Sequence, residues 1–218
     1  MYELVIADKN YSSWSMRPWV LMRHLGLDFT ERLVRLAQPD TAARIAEVSP
    51  AGRVPVLLDD GFAVWDSLAI LEYLADRHPA ARVWPADLRQ RARARSVAAE
   101  MHSGFAALRQ AMSMNIRKRS PGKGHTPEAL ADVARIDALW TELLAAHGGP
   151  FLFGADFTAA DAMYAPVVAR FVTYAAPLSL AAQGYVAAVL ALPAVAEWIA
   201  AGVADPVTIA KYDALHDA

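Results

Sequence analysis

The chain has 218 residues, of which 56% are hydrophobic, and its 21 Lys and Arg against 23 Asp and Glu give a net charge of -2. This length and composition can fill more than one hydrophobic core, which is typical of one large or two ordinary globular domains. The slight negative charge disfavours nucleic acid and anionic membranes as partners, and the absence of cysteine excludes disulfides, thiolate metal sites and a protein thiol nucleophile.

Residues 1–79 alternate short strand-like runs with helical ones, which predicts strands packed against helices. The first two predicted strands flank a helix, so they should be parallel. Asp-Gly between the last two apolar runs indicates a hairpin. The predicted βαβαββα order is a strand YELVIA, a helix over 15–25, a strand over 29–36, a helix over 42–48, strands VPVLL and FAVW, and a helix over 67–77.

Residues 89–218 have almost no strand signals, and their alanine-rich segments with apolar residues at helical spacing predict an all-α domain. Residues 80–88 contain proline and little periodicity, so they form the predicted linker. The sequence SPGKGHTP at 120–127 predicts a mobile loop between two long helices.

Hydroxyl side chains follow the first predicted strand, in the sequence YSSWS. A helix start presents unpaired backbone N–H groups and a partial positive charge, which favour an anion. A hydroxyl of Ser12 or Ser13 would be able to donate there to a bound thiolate, whose sulfur must come from a ligand. The alternative is that Ser13 or Ser15 only caps the helix.

Val54 and Pro55 follow a loop of turn-forming residues and begin a predicted strand. A cis bond between them would turn the Val54 N–H and C=O toward an open groove, where an extended peptide pairs with such groups. An ordinary trans proline at a strand start is the alternative.

Asp66 and Ser67 stand at the start of a predicted helix, where either residue is a suitable cap. Together they also offer a carboxylate for a ligand ammonium, and a hydroxyl with backbone N–H groups for a ligand carboxylate. An amino-acid end of a ligand would fit at this position.

In their order and context, these three sites resemble the glutathione transferase family. The family carries a Ser, Tyr or Cys after the first strand, a Val-Pro with cis proline, and an acidic or amide residue with serine at the third helix. DSLAILEYL resembles the signature of that helix, and YSSWSMR resembles the Ser-Ser-Cys stretch of the zeta class, which includes maleylacetoacetate isomerases. The resemblance implies a thioredoxin-like first domain.

A fourth match lies in the helical half, at GADFTAAD. Thr158 takes an N-cap position and Asp161 stands three residues later, which is the spacing of a capping box. This segment resembles the capping segment of the family's sixth helix, where its role is in folding. The resemblance therefore covers nearly the whole chain.

The resemblance implies that glutathione is the co-substrate. Its γ-glutamyl end would be held by Asp66 and Ser67, and its cysteinyl backbone would pair with Val54 ahead of Pro55. The thiol would then lie near Ser12. One hydrogen bond to an anion supplies about 1.5 to 3 kcal/mol, so the thiol pKa would fall by about one to two units.

For the hydroxyl stretch, the resemblance favours Ser12 as the thiol contact and Ser13 as its close competitor. Ser15 is then the predicted cap. Trp14 stands where the zeta class has cysteine, which removes a thiol and adds bulk, and this weakens the case for isomerase chemistry.

Two further departures concern the ligand's ends. Asp66 is shorter than the Glu or Gln common at its position, so a water would bridge it to the ligand ammonium. Arg53 replaces a glutamine of the zeta class, and it either binds a ligand carboxylate or pairs with a surface acid.

A second-substrate pocket is expected between the halves, along the first long helix of the helical domain. Methionine suits varied apolar guests and arginine suits an anion, although core packing and a solvated helix face explain the same residues. The candidates are Trp14, Met101, His102, Phe105 and Arg109, with Arg117 as a further anion contact.

The leading hypothesis is a glutathione transferase that conjugates the thiol to a small electrophilic, largely apolar compound. A glutathione-dependent isomerase of the maleylacetoacetate type and a non-catalytic interaction protein on the same fold are the alternatives. The resemblance implies a homodimer. A cytoplasmic location, no metal and no membrane partner are expected, because the histidines lack metal-ligand spacing and no apolar span reaches membrane length.

Overall fold

The structure is a computed structural model that describes residues 1–216. Its first half holds a four-stranded sheet in the order β2-β1-β3-β4, in which β1 and β2 are parallel and the other neighbours antiparallel. The elements are β1 (Tyr2–Ile6), α1 (Ser13–His24), β2 (Phe29–Leu33), α2 (Thr41–Ala46), β3 (Val56–Asp59), β4 (Phe62–Trp65) and α3 (Ser67–Arg77). The βαβαββα order of a thioredoxin-like half is confirmed.

The second half is helical, as predicted, and follows a short 3-10 helix at Pro79–Ala81. Its elements are α4 (Leu88–Ser103), α5 (Ala106–Ala111), α6 (Pro127–His147), α7 (Ala159–Tyr174), α8 (Leu180–Ala191), α9 (Pro193–Ala204) and α10 (Ala210–Asp213). The division into a first domain at 1–79, a linker at 80–88 and a helical domain at 89–218 stays a prediction.

Length and apolar composition decide whether a helix is able to cross a membrane. Across residues 1–216, no single helix is long and apolar enough to span a membrane. Taken together, α8 and α9 pass the same test by length and composition, with a bend of 77° between them.

The predicted hairpin forms between β3 and β4. Asp60 and Gly61 both adopt positive φ, 47° and 87°, which is the conformation that two-residue turns with the twist of the strands require. β2 stops at Leu33 instead of residue 36, because its partner β1 ends at Ile6 and the chain turns onto Asp8, whose carboxylate accepts from the Leu36 N–H at 2.7 Å.

Helices α1 and α7 form the centre of the molecule. α7 is rich in alanine and buried along nearly its whole length, so α1 and α4 pack closely against it. Trp19 of α1 and Trp140 of α6 are fully buried in one hydrophobic cluster that draws on both halves. The two halves therefore share their main core, although the composition allows for separate ones.

The capping box before α7 forms as predicted. Asp161 Oδ2 accepts from the Thr158 N–H at 2.9 Å and from its hydroxyl at 3.0 Å, while Oδ1 accepts from the Leu152 N–H and the Tyr185 hydroxyl. The carboxylate thus joins the start of α7 to the preceding loop and to α8.

The segment 120–127, predicted as a mobile loop, is tied to the end of α7. The Ser120 N–H donates to the Thr173 carbonyl at 2.8 Å, and the Gly122 N–H donates to the Tyr174 carbonyl at 2.9 Å. The expected pair of long helices also differs, because α4 ends at Ser103 and the short α5 lies between it and α6.

Candidate active site

A cleft of about 480 Å³ lies between the two halves. Its sheet-side wall comes from the start of α1, the segment before β3 and the start of α3: Ser12, Ser13, Trp14, Arg53, Val54, Pro55, Asp66 and Ser67. Its helix-side wall comes from α5, the residues after it, α7 and α10: Arg109, Ser113, Met114, Arg170 and Tyr212. Nine of the predicted site residues meet in this cleft.

Ser12 is the N-cap residue of α1, and its side chain makes no capping hydrogen bond. Its hydroxyl donates to Ser15 Oγ at 2.8 Å, and Ser15 Oγ also accepts from the Ala7 N–H at 3.1 Å. The predicted capping role of Ser15 is wrong, because Ser15 lies within the first turn of α1 and its hydroxyl oxygen binds the backbone of Ala7, just after β1. The hydroxyl proton of Ser12 is therefore directed away from a ligand.

Ser13 lies at the first position of α1 and is 6% exposed. Its Oγ accepts a hydrogen bond from Arg170 Nη2 at 3.1 Å. A hydroxyl has one proton and two acceptor lone pairs, so this contact leaves the Ser13 proton available for a neighbour. The N–H groups of Trp14 and Ser15 have no partner among residues 1–216, which leaves donors at the positive end of α1.

The peptide bond between Val54 and Pro55 is cis, as the resemblance implies. In the part of the chain that the structure describes, neither the N–H nor the C=O of Val54 has a hydrogen-bond partner. The neighbouring Arg53 has an exposed side chain, while its N–H donates to Ser49 Oγ at 3.2 Å. Unpaired backbone groups beside an open cleft suit an extended peptide ligand.

Asp66 is the N-cap residue of α3, where its Oδ1 accepts from the Leu68 N–H at 2.8 Å. Its Oδ2 lies 3.3 Å from His102 Nε2, which comes from α4. Ser67 is buried, and its Oγ accepts from Arg17 Nη1 at 3.2 Å. Asp66 therefore caps α3, and the pair still has groups for a ligand: Asp66 Oδ2 and the Ser67 hydroxyl proton, which the contact with Arg17 does not use.

Three of the residues predicted for the second-substrate pocket lie outside the cleft lining. Met101 and Phe105 are buried in the shared core, because α4 turns this face toward α7. His102 instead contacts Asp66 and packs edge-on against Trp14, with ring centroids 5.3 Å apart. Of the predicted pocket residues, Trp14 and Arg109 line the cleft.

Arg117, expected as an anion contact, binds the C-terminal segment. It donates to the carbonyl of Val207 at 2.7 Å and to the Tyr11 hydroxyl at 2.9 Å. The Tyr11 hydroxyl donates in turn to Asp213 at 2.8 Å, and the ring of Tyr212 stacks on Tyr11 with centroids 5.4 Å apart. These contacts place Tyr212 in the helix-side wall.

Sequence reasoning missed Arg170 and Tyr212. Tyr212 carries no local pattern, because it reaches the cleft from the far end of the chain. For Arg170 a signal exists: it is the one charged residue in the apolar run APVVARFVTY, whose other residues read as core. A lone charge in a buried helix indicates a specific partner.

Three arginines bring positive charge to one part of the cleft: Arg109 and Arg170 line it, and Arg17 donates to Ser67 in its wall. Burial, with the charges of Arg170 and Arg109 as smaller causes, lowers the pKa of Arg17 to about 9. Burial, followed by the charge of Arg109, lowers the pKa of Arg170 to about 10. All three stay protonated at neutral pH, so this part of the cleft favours an anion.

The ring of Trp14 lies against two of these guanidinium groups. Its ring lies 4.1 Å from the Arg17 guanidinium and 5.4 Å from that of Arg109. Stacking on an aromatic face stabilises a desolvated guanidinium. Within residues 1–216, no group of three or more His, Asp or Glu side chains is arranged to hold a metal ion.

Known families match both halves of the chain. Residues 11–77 match the family described as "Glutathione S-transferase, N-terminal domain", and residues 90–201 match "Glutathione S-transferase, C-terminal domain".

Similar proteins cover most of the chain. A probable maleylacetoacetate isomerase from Caenorhabditis elegans is 30% identical over 158 residues, which are 72% of this chain and 73% of the relative. A zeta-class glutathione S-transferase from Euphorbia esula is 28% identical over 165 residues, 74% of this chain and 73% of the relative. The crystal structure of a glutathione transferase homolog from Burkholderia gl BGR1, with bound glutathione, has a TM-score of 0.71 and 28% identity and covers 91% of this chain and 96% of that one.

The fold and the site define a thioredoxin-like protein with a helical half, and a ligand-sized cleft lies between the two. The chain belongs to the glutathione S-transferase family, in which it has zeta-class and maleylacetoacetate isomerase homologues.

Proposed function

We propose that this chain is a glutathione transferase that activates the thiol of glutathione and adds it to a small electrophilic compound. One observation carries the proposal: three separate turns meet in one cleft, and each offers groups that suit a different part of glutathione. They are the start of α1, the Val54 backbone and the start of α3.

The ligand's γ-glutamyl end would lie at the start of α3. Its ammonium would approach Asp66 Oδ2, and its carboxylate would accept from the Ser67 hydroxyl and from the helix N-terminus. The unpaired N–H and C=O of Val54 would pair with the cysteinyl backbone. The sulfur then falls at the start of α1.

Between the two serines, the hydrogen bonds favour Ser13 as the thiol contact. Ser12 gives its proton to Ser15, whereas Ser13 accepts from Arg170 and keeps its proton for the sulfur. A hydroxyl donating to a thiolate, at a helix N-terminus, stabilises the anion by about 1.5 to 3 kcal/mol. Ser12, the stronger candidate on sequence, is the alternative.

The electrophile would bind against the helix-side wall. Met114 and Tyr212 offer apolar surface there, Trp14 adds apolar surface from the sheet-side wall, and Arg109 offers a positive charge. A small compound with an apolar body and an electron-poor reactive centre fits this mixture.

Isomerisation of a diketo acid of the maleylacetoacetate type is the second candidate. The relative from Caenorhabditis elegans carries that name, and the guanidinium groups that line the cleft suit the substrate's carboxylates. Trp14 argues against it, because its ring takes space beside the expected sulfur position.

Three measurements on the purified chain test the proposal. Glutathione affinity is measured by retention on immobilised glutathione and by calorimetry. Turnover is followed with chlorodinitrobenzene, and isomerisation is followed with maleylacetoacetate. Binding with turnover of the aryl halide is the expected result, isomerisation alone would select the second candidate, and an intact fold without glutathione affinity would indicate a non-catalytic interaction protein. A homodimer and a cytoplasmic location stay predictions; light scattering tests the first.

A further inference from the structure

Arg170 projects from the middle of α7 into the protein interior and is 4% exposed. Its Nε donates to the Met112 carbonyl at 2.9 Å and its Nη2 donates to Ser13 Oγ at 3.1 Å. Nη1 is buried and has no hydrogen-bond partner among the described residues. The guanidinium therefore lines the cleft and makes a hydrogen bond to one side chain there, that of Ser13.

Keeping a charge at this position is costly for folding. Arg170 has no carboxylate partner among residues 1–216, and the neighbouring charge of Arg109 repels it. An apolar side chain of similar volume is often as stable as a buried charge or more so. Its burial is therefore not explained by stability.

We propose that Arg170 is a positioning residue for thiol activation, which acts by holding the Ser13 hydroxyl so that its proton points to the sulfur of glutathione. The proposal rests on the proposed function. Because Arg170 fills one lone pair of Ser13 Oγ, the hydroxyl is oriented as a donor. The positive charge behind the hydroxyl also favours thiolate over thiol when the thiol proton leaves to solvent.

The neighbouring arginines act in the same direction. Arg17 of α1, Arg109 of α5 and Tyr174 of α7 itself lie near one another or near Arg170, while the carboxylate of Asp66 lies near Arg17 and opposes its charge. A bound thiolate would supply the negative charge that this group of arginines lacks. Arg17 is a matched comparison, because it is equally buried and charged but donates to Ser67 instead of Ser13.

The test compares Arg170→Met, Arg170→Gln and Arg17→Met with the wild type. The pKa of the bound glutathione thiol is measured from the ultraviolet absorbance of the thiolate, and the pH dependence of kcat/KM is measured alongside. We expect Arg170→Met to raise the thiol pKa by about one unit, a tenfold loss of thiolate relative to thiol. Arg17→Met should shift it less, and Arg170→Gln, which keeps a donor, should lie between wild type and Arg170→Met.

A double variant separates action through Ser13 from a general loss of charge. In the Ser13→Ala background, Arg170→Met should change the thiol pKa by less than half as much as in the wild type. A bound thiol pKa that is the same in wild type and both Arg170 variants would overturn the inference, as would an undiminished shift in the double variant. If Arg170→Met fails to fold, Arg170→Gln replaces it.

The failure of the proposed function gives a different result. If the wild type does not bind glutathione, the proposed function fails and the inference falls with it. If the wild type binds glutathione and the Arg170 variants leave its thiol pKa unchanged, only the inference fails.

Discussion

The two walls of the cleft are built in different ways. The sheet-side wall consists of short chain segments at the ends of strands and the starts of helices, at Ser13, Val54 and Ser67. The helix-side wall consists of single side chains from separate helices, such as Arg109, Arg170 and Tyr212. Backbone turns suit a constant ligand, whereas isolated side chains are free to vary, so under the proposed function glutathione binds the first wall and selectivity comes from the second.

The largest expected effect concerns stability, in a feature that belongs to neither wall. Asp161→Ala removes the acceptor of four hydrogen bonds and leaves four buried donor groups on three residues unpaired, at Leu152, Thr158 and Tyr185. We expect a loss of about 3 kcal/mol or more in the free energy of unfolding, since each unpaired buried group costs about 1–3 kcal/mol. Urea unfolding measures it, and a loss below that of Thr158→Ala would contradict this role.

The same residue gives a dependence on pH. Burial raises the pKa of Asp161 from 3.8 to about 6, although the hydrogen bonds to its oxygens lower the pKa in part. Because the folded protein holds this proton more tightly than the unfolded chain, the part of the stability that depends on protonation of Asp161 is present below about pH 4 and is lost as pH rises to about 6. Unfolding of wild type and Asp161→Asn across this range should differ in slope, and parallel curves would refute the shifted pKa.

The next effect tests the sheet-side wall. Asp66→Asn keeps a good N-cap residue but removes the charge that faces the ligand ammonium. We expect glutathione affinity to fall about tenfold, which is about 1.4 kcal/mol, with little change in melting temperature. Asp66→Ala is the matched variant that also loses the cap. Unchanged affinity in Asp66→Asn, measured by calorimetry, would remove Asp66 from the glutathione site.

The smallest effect tests the helix-side wall. Tyr212→Ala removes an aromatic surface from the expected electrophile region and the stacking contact with Tyr11, while the residues of the sheet-side wall stay unchanged. We expect the KM for the electrophile to rise about threefold, a loss below 1 kcal/mol, while glutathione affinity stays constant. Tyr212→Phe keeps the ring and should behave as the wild type. A large loss of glutathione affinity in Tyr212→Ala would break the division between the walls.

The sequence predicts the sheet-side wall because its signals are local. Asp-Gly fixes a hairpin, and Asp66 with Ser67 starts a helix; each is recognised within a few residues. Core positions and cleft positions on α4 share one spacing, so periodicity does not separate Met101 from a true pocket residue.

Contacts between distant residues escape such patterns. Ser13 and Arg170 are 157 residues apart in the chain, and the contact exists because α1 packs on α7. The capping prediction for Ser15 is wrong for a related reason: the N–H of Ala7, brought close by the turn after β1, takes its hydroxyl oxygen.

The central claim is that the sulfur of glutathione lies at the start of α1 and receives a hydrogen bond from Ser13. The most direct test is a spectroscopic titration of the thiol bound to wild type, Ser12→Ala and Ser13→Ala. We expect a wild-type pKa about one to two units below that of the free thiol, raised by about one unit or more in Ser13→Ala and nearly unchanged in Ser12→Ala. A wild-type pKa equal to that of free glutathione, or equal values in wild type and Ser13→Ala, would contradict it.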